Sequence, residues 1–125
     1  MTAKSSASKK AKGKRAEKKV AEAYRRYDID KTARPMPMSG AMTHFKGDIW
    51  KKNDYGYCDE VKNQERVQLW KFWDQTTSQA SMAQVPVLHI TGNHRPILTV
   101  LDMEDYMNLR KEVKDLEQII KELQE

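Results

Sequence analysis

The chain has 125 residues, 33% of them charged, and Lys plus Arg exceed Asp plus Glu by 23 to 18 for a formal net charge of +5. That length supplies one modest core and one site rather than two independent domains, and the cationic excess points to a polyanionic partner rather than a small-molecule substrate. The single cysteine, Cys58, excludes an internal disulfide and a multi-cysteine zinc site. With no apolar run near the ~20 residues that span a bilayer and none behind the basic N-terminus, no membrane association is expected and the expected location is cytoplasmic.

Residues 1–12, MTAKSSASKKAK, are small, polar and basic, with nothing to bury. They read as a flexible arm whose Lys9 and Lys10 could lie along phosphates, or as a solubilising tail. From Gly13 the spacing of Ala16, Val20, Ala23, Tyr24 and Tyr27 predicts a helix to about Tyr27. Residues 28–46 hold Pro35, Pro37 and Gly40 without a sustained period, a loop crossing the surface. Asp48–Trp50 and Tyr55–Val61 read as two extended segments joined by the polar turn Lys51–Asp54 in a hairpin-like arrangement.

Residues 65–80 place Val67, Leu69, Trp70 and Trp73 at helical spacing. Both tryptophans on that helix are expected in the core, the other use for them and for Trp50 being to stack on unpaired bases. Val85–Thr91 and Ile97–Leu101 read as strands around the turn Gly92–Pro96. From about Asp105, Tyr106, Leu109, Val113, Leu116, Ile120 and Leu123 step alternately by three and four, the narrow seam of a coiled coil with charged flanks. Such a helix either pairs with its own copy or lies on its own domain. The order of elements predicts an α/β fold, a central mixed sheet flanked by helices with a coiled-coil-like C-terminal helix. The chain divides into a basic arm (1–12), a body (13–104) and a dimerisation helix (105–125).

The chemistry concentrates at Asp48 and Glu60-Val61-Lys62. Side chains alternate along a strand, so Glu60 and Lys62 share a face, and an adjacent strand can bring Asp48 to it. Two carboxylates this close repel unless a divalent cation neutralises them, and oxygen-only ligands suit Mg2+, with Mn2+ able to substitute. Such a cation would activate a water for attack on a phosphodiester. Lys62 would stand beside that water or the phosphate, and Glu17 on the first helix would complete a second metal position or hold the first metal through water. The bland alternative is a solvated strand face carrying alternating charges.

Gly13-Lys14-Arg15-Ala16-Glu17 opening a helix, then Arg34, Ser39-Gly40, Gly47-Asp48-Ile49 and Asp59-Glu60-Val61-Lys62, resembles the archaeal-type Holliday junction resolvases of the PD-(D/E)XK nuclease superfamily over about residues 13–100. The resemblance implies a restriction-endonuclease-like fold. It implies Asp48 and Glu60 as metal ligands, Glu17 as the helix-borne acid, Lys62 as the assistant to the attacking water and Ser39 as acting near the scissile phosphate. Lys14, Arg15 and Arg34 become phosphate contacts, and the partner becomes branched double-stranded DNA cut by a two-fold homodimer. The lysine-rich arm and heptad tail depart from that family core and suit a bacteriophage or other mobile element, acting in a bacterial or phage-infected cell. Gln75 or Gln79 resembles a glutamine that follows the lysine in related nucleases, a polar helix face being the plainer reading.

Cys58 reads as a small buried apolar side chain. His89 and His94 read as a strand and a turn residue without a matched acid, against a histidine-metal nuclease. Two other functions are compatible with the sequence: a nuclease of this type acting on other branched or duplex DNA, and a non-enzymatic basic dimer that binds DNA.

Overall fold

The computed structural model describes residues 6–37 and 46–125. Helix α1 (Ser6–Arg26) is followed by strands β1 (Arg34–Pro35), β2 (Ile49–Trp50) and β3 (Tyr57–Asn63). Helix α2 (Leu69–Gln79), strands β4 (Val85–Thr91) and β5 (Leu98–Val100), and helix α3 (Met103–Leu123) complete the chain. β3 and β4 pair in parallel from Tyr57↔Val85 to Asn63↔Thr91, and β5 lies antiparallel to β4 with His89 opposite Thr99. This mixed sheet flanked by helices is the expected α/β, restriction-endonuclease-like architecture.

Helix α1 begins at Ser6, seven residues before the expected start at Gly13, so residues 6–12 are helix rather than flexible arm. Tertiary contact is the reason. Lys12 is buried, its ammonium 3.2 Å from Glu65 Oε1, and its carbonyl accepts the Asn63 side-chain N–H at 3.1 Å. Ala16, Val20 and Ala21 of α1 then close a small core with Ala33, Ile49 and Val61. Beyond Arg26 the chain turns at Asp28 (φ 58°), and the buried Asp30 carboxylate gathers the N–H groups of Thr32, Asn53 and Asp54 at 2.7–3.0 Å. One buried acid thereby ties the end of the helix turn to the loop after β2.

Two expected pairings differ in detail. β2 forms its ladder with β1, an element inside the supposed loop, rather than a hairpin with β3. What joins β2 to β3 is the Asp48 N–H, which donates to the Asp59 carbonyl at 2.7 Å. The supposed polar turn is also not all polar surface, because Lys51 is buried at 2% exposure.

Along β3 the period of two divides the residues between layers. Val61 faces α1, with Asp59 held by Tyr24 and Asn63 by Lys12, while Lys62 on the opposite face lies over the Phe72 ring of α2 at 5.5 Å. Trp70 is not core: it is 73% exposed, and Phe72 and Thr76 are the buried residues of α2. The inward phase is set by that four-residue pair, which turns Trp70 about 200° away at 100° per residue.

Helix α3 starts cleanly where the Asp102 side chain accepts the Glu104 N–H at 2.8 Å, and none of its residues is buried. Its seam, from Tyr106 to Leu123, is exposed throughout.

Candidate active site

Asp48 is placed by three local features. Gly47 adopts φ +94°, and its missing side chain lets the backbone of β3 approach: a Cβ there would lie 2.8 Å from the Asp59 carbonyl oxygen. Asp48 then donates its N–H to that carbonyl, and its Oδ2 accepts the Val61 N–H at 2.8 Å. Its own carbonyl accepts the Met36 N–H at 2.7 Å. The carboxylate thus takes the place of a ladder partner on the edge of β3, next to Glu60.

Glu60 is 9% exposed, and its carboxyl is pushed up to about 8 by burial, by the adjacent charge of Asp48 and by a hydrogen bond to it. Near neutral pH, with no cation between them, the pair holds on to a proton. Lys62 pulls in the opposite direction as the nearby positive charge. Glu17, one turn of α1 beyond Gly13, is itself raised by burial and then by Asp48, and its negative charge contributes to the rise at Glu60. Three acids and one lysine from α1, the β2 junction and β3 therefore share one electrostatic neighbourhood.

A hollow of about 440 Å3 opens beside Asp48, lined by Gly13, Lys14, Glu17, Met36, Gly47 and also Lys10. Lys14 lies 3.5 Å from Glu17 Oε2. Arg15 and Lys9 are exposed on α1, and Arg34 stacks over the Trp50 ring at 4.7 Å. Ser39 lies outside the described residues. Gln75 and Gln79 are exposed on α2.

The donor set can be compared with what a hard divalent cation needs. Asp48 and Glu60 offer oxygen only, and their retained proton marks a place where positive charge is lacking. Among the described residues no three His, Cys, Asp or Glu side chains already converge tightly enough to hold a metal ion. The residues fit Mg2+ or Mn2+ in kind, with Asp48 and Glu60 as the pair and Glu17 next to them.

On the other face of β3 lies a second constellation. Asp59 is fully buried and accepts a hydrogen bond from the Tyr24 hydroxyl at 2.6 Å. Its Oδ1 is 2.7 Å from His89 Nε2, while His89 Nδ1 meets the Thr99 hydroxyl at 3.0 Å. Lys51 Nζ stands 2.5 Å from Asp59 Oδ2, an ion pair off hydrogen-bond angle, and donates to the Tyr57 carbonyl at 3.0 Å. His89 and Lys51 hold the Asp59 carboxyl below its usual range against the cost of burial. His89 thus has a matched acid after all, one residue from Glu60. Period-two reading of Asp59-Glu60 beneath a covering helix already implied that one of the two would be buried; the partner across the sheet carried no local signal.

No helix among the described residues is long and apolar enough to cross a membrane. The family model described as "Phage putative PDDEXK endonuclease" matches residues 8–124. Neither a curated protein nor a solved structure matches the chain.

Proposed function

Because the chain belongs to the phage PD-(D/E)XK endonuclease family, and so to the nucleases, we propose that it is a structure-selective endodeoxyribonuclease that resolves four-way DNA junctions as a two-fold homodimer, by Mg2+-dependent phosphodiester hydrolysis. The observation that carries the hydrolytic half is the placement of the Asp48 carboxylate, held by the Val61 N–H at 2.8 Å, next to the buried Glu60, with Lys62 and Glu17 in the same electrostatic neighbourhood. In this reading Asp48 and Glu60 bind the cation and Glu17 completes its surroundings. When bound there, such a cation would supply the positive charge that activates a water and offsets the charge building on the phosphodiester. Lys62, a compact point charge, orients the water or a phosphate oxygen. Val61 N–H holds one Asp48 oxygen in place, so the carboxylate does not have to be ordered when substrate arrives.

Lys9, Lys10, Lys14, Arg15 and Arg34 contact phosphates on either side of the site, and Ser39 acts near the scissile one. Junction selectivity rests on the resemblance of the G-x-x-x-E, S-G, G-D and E-V-K elements to the junction resolvases. A labelled four-way junction and a linear duplex of the same arms, each with Mg2+ and with chelator, test it. The expected result is paired nicks in the junction alone, lost on chelation. Equal cutting of both substrates would retain the nuclease and remove the junction preference. Asp48→Asn is expected to abolish cutting while leaving DNA binding intact or tighter, because it removes negative charge from the site; cutting that survives would remove Asp48 from the metal site.

A further inference from the structure

We propose that helix α3 of one chain docks into the groove between α1 and β4–β5 of a second copy, so that the dimer forms by reciprocal helix exchange rather than by pairing of the two α3 seams. The inference rests on the dimeric part of the proposed function and specifies it.

Two apolar surfaces are left uncovered at the same end of the molecule. One is the α3 seam, exposed from Tyr106 to Leu123, or about 27 Å at 1.5 Å per residue. The other is a hollow of about 620 Å3 with Val20, Ala23, Tyr27 and Ile97 in its lining, where Tyr27 is 69% exposed. β5 ends at Val100 and α3 starts at Met103, so the helix leaves the body at the strand that borders this hollow through Thr99.

Charge decides between the two ways of covering the seam. With Tyr106, Val113 and Ile120 at the first core position of each heptad and Leu109, Leu116 and Leu123 at the fourth, the flanking positions hold Asp105, Glu112 and Glu117 against Arg110. Parallel self-pairing would set Glu112 of one helix against Glu117 of the other on both sides of the seam, offsetting the favourable Asp105–Arg110 pairs one heptad earlier, so self-pairing gains nothing net from charge. The α1 groove is rimmed by Lys19 and Arg26 against one acid, Glu22, so the same glutamates meet cations there. Occupation leaves the active site open, because Lys19, Glu22, Ala23 and Arg26 line one flank of α1 and Lys10, Gly13, Lys14 and Glu17 the other. Three- and four-residue steps keep each set on its own side.

The test uses full-length chains with single added cysteines. Ala23→Cys on a tagged chain is mixed with an untagged chain carrying Leu109→Cys, Val113→Cys or Leu116→Cys, and the mixture is oxidised gently. The unsubstituted chain, with only the buried Cys58, is the background control. The expected result is a mixed tagged–untagged disulfide for at least one α3 position and little self-linking of the α3 variants. Leu116→Asp, at an exposed position, is expected to reduce the solution mass from twice 14.6 kDa to 14.6 kDa without loss of helix content. A dimer in which the α3 variants link to themselves and never to Ala23→Cys would overturn helix exchange while retaining the dimer. A chain that is monomeric at every concentration would overturn both.

Discussion

A carboxyl group buried beside a carboxylate keeps its proton, and the consequence for Glu60 reaches stability as well as chemistry. Its folded-state value lies near 8 against an ordinary 4.5. Below about pH 4.5 both states are protonated and Glu60 favours neither. Between 4.5 and 8 the unfolded chain releases its proton while the folded one retains it, so stability falls as pH rises through that window and levels off above it. In the absence of metal, Glu60→Gln should therefore be more stable than the parent at pH 8, by about 1–3 kcal/mol once solvent screening is allowed for. The difference should vanish near pH 4.5. Thermal melts at the two pH values check this, and a parent that melts no lower than the variant at pH 8 would contradict it. Mg2+ should raise the melting temperature of the parent at pH 8 and do little at pH 5, where protons compete for the same oxygens. On the opposite face of β3, Asp59→Ala leaves Tyr24 and His89 without their acid and Lys51 with only Asp54, 3.6 Å away, and should cost about 3–5 kcal/mol, measured by denaturant unfolding. A loss under 1 kcal/mol would mean that the Lys51 ammonium and the His89 ring find water.

At the level of elements, the join between β2 and β3 is where sequence and site meet. Gly47→Ala introduces a Cβ 2.8 Å from a backbone oxygen at a φ of +94°, which costs about 1–3 kcal/mol at a non-glycine residue and displaces the Asp48 carboxylate. A shift of an ångström in a positioned group lowers turnover by about 100-fold, so nicking should fall by that order while DNA binding is retained; unchanged nicking would show that the loop can yield without moving Asp48. The residues of this join are legible in the sequence because a glycine before an acid and an E-x-K alternation are local patterns. The seam of α3 is legible as a sustained period, and strands β3, β4 and β5 as short extended runs bounded by turn residues. What escapes is non-local. The start of α1 moved to Ser6 because Lys12 finds Glu65, 53 positions away, and Asp59 finds His89 across the sheet at a separation of 30. Trp70 was misplaced because apolar residues at helical spacing fix a stripe but not which part of it faces inward, and Phe72 occupies the buried position.

For the whole molecule, the distribution of charge and the separation of α3 from the body lead to one further expectation. Helix α1 carries nine Lys or Arg and two Glu between Ser6 and Arg26, so DNA binding should weaken steeply with salt, the loss of log affinity following the number of phosphates neutralised. Helix α3 contributes no buried residue to the fold of its own chain. Truncation after Asp102 should therefore leave the helix and sheet signal of the body in place while removing the dimer, since stability local to the body does not depend on an element that buries nothing there. The active site is composed entirely of residues before this cut. The truncated chain should then still hydrolyse phosphodiesters with Mg2+, but as a single site: on a supercoiled plasmid with an extruded cruciform it should accumulate nicked circles, whereas the full chain goes directly to linear product through two coupled cuts. Gel analysis of the two products over time is decisive. Linear product formed as early by the truncated chain as by the full one would mean that the second cut needs no partner, and that α3 serves something other than paired cleavage.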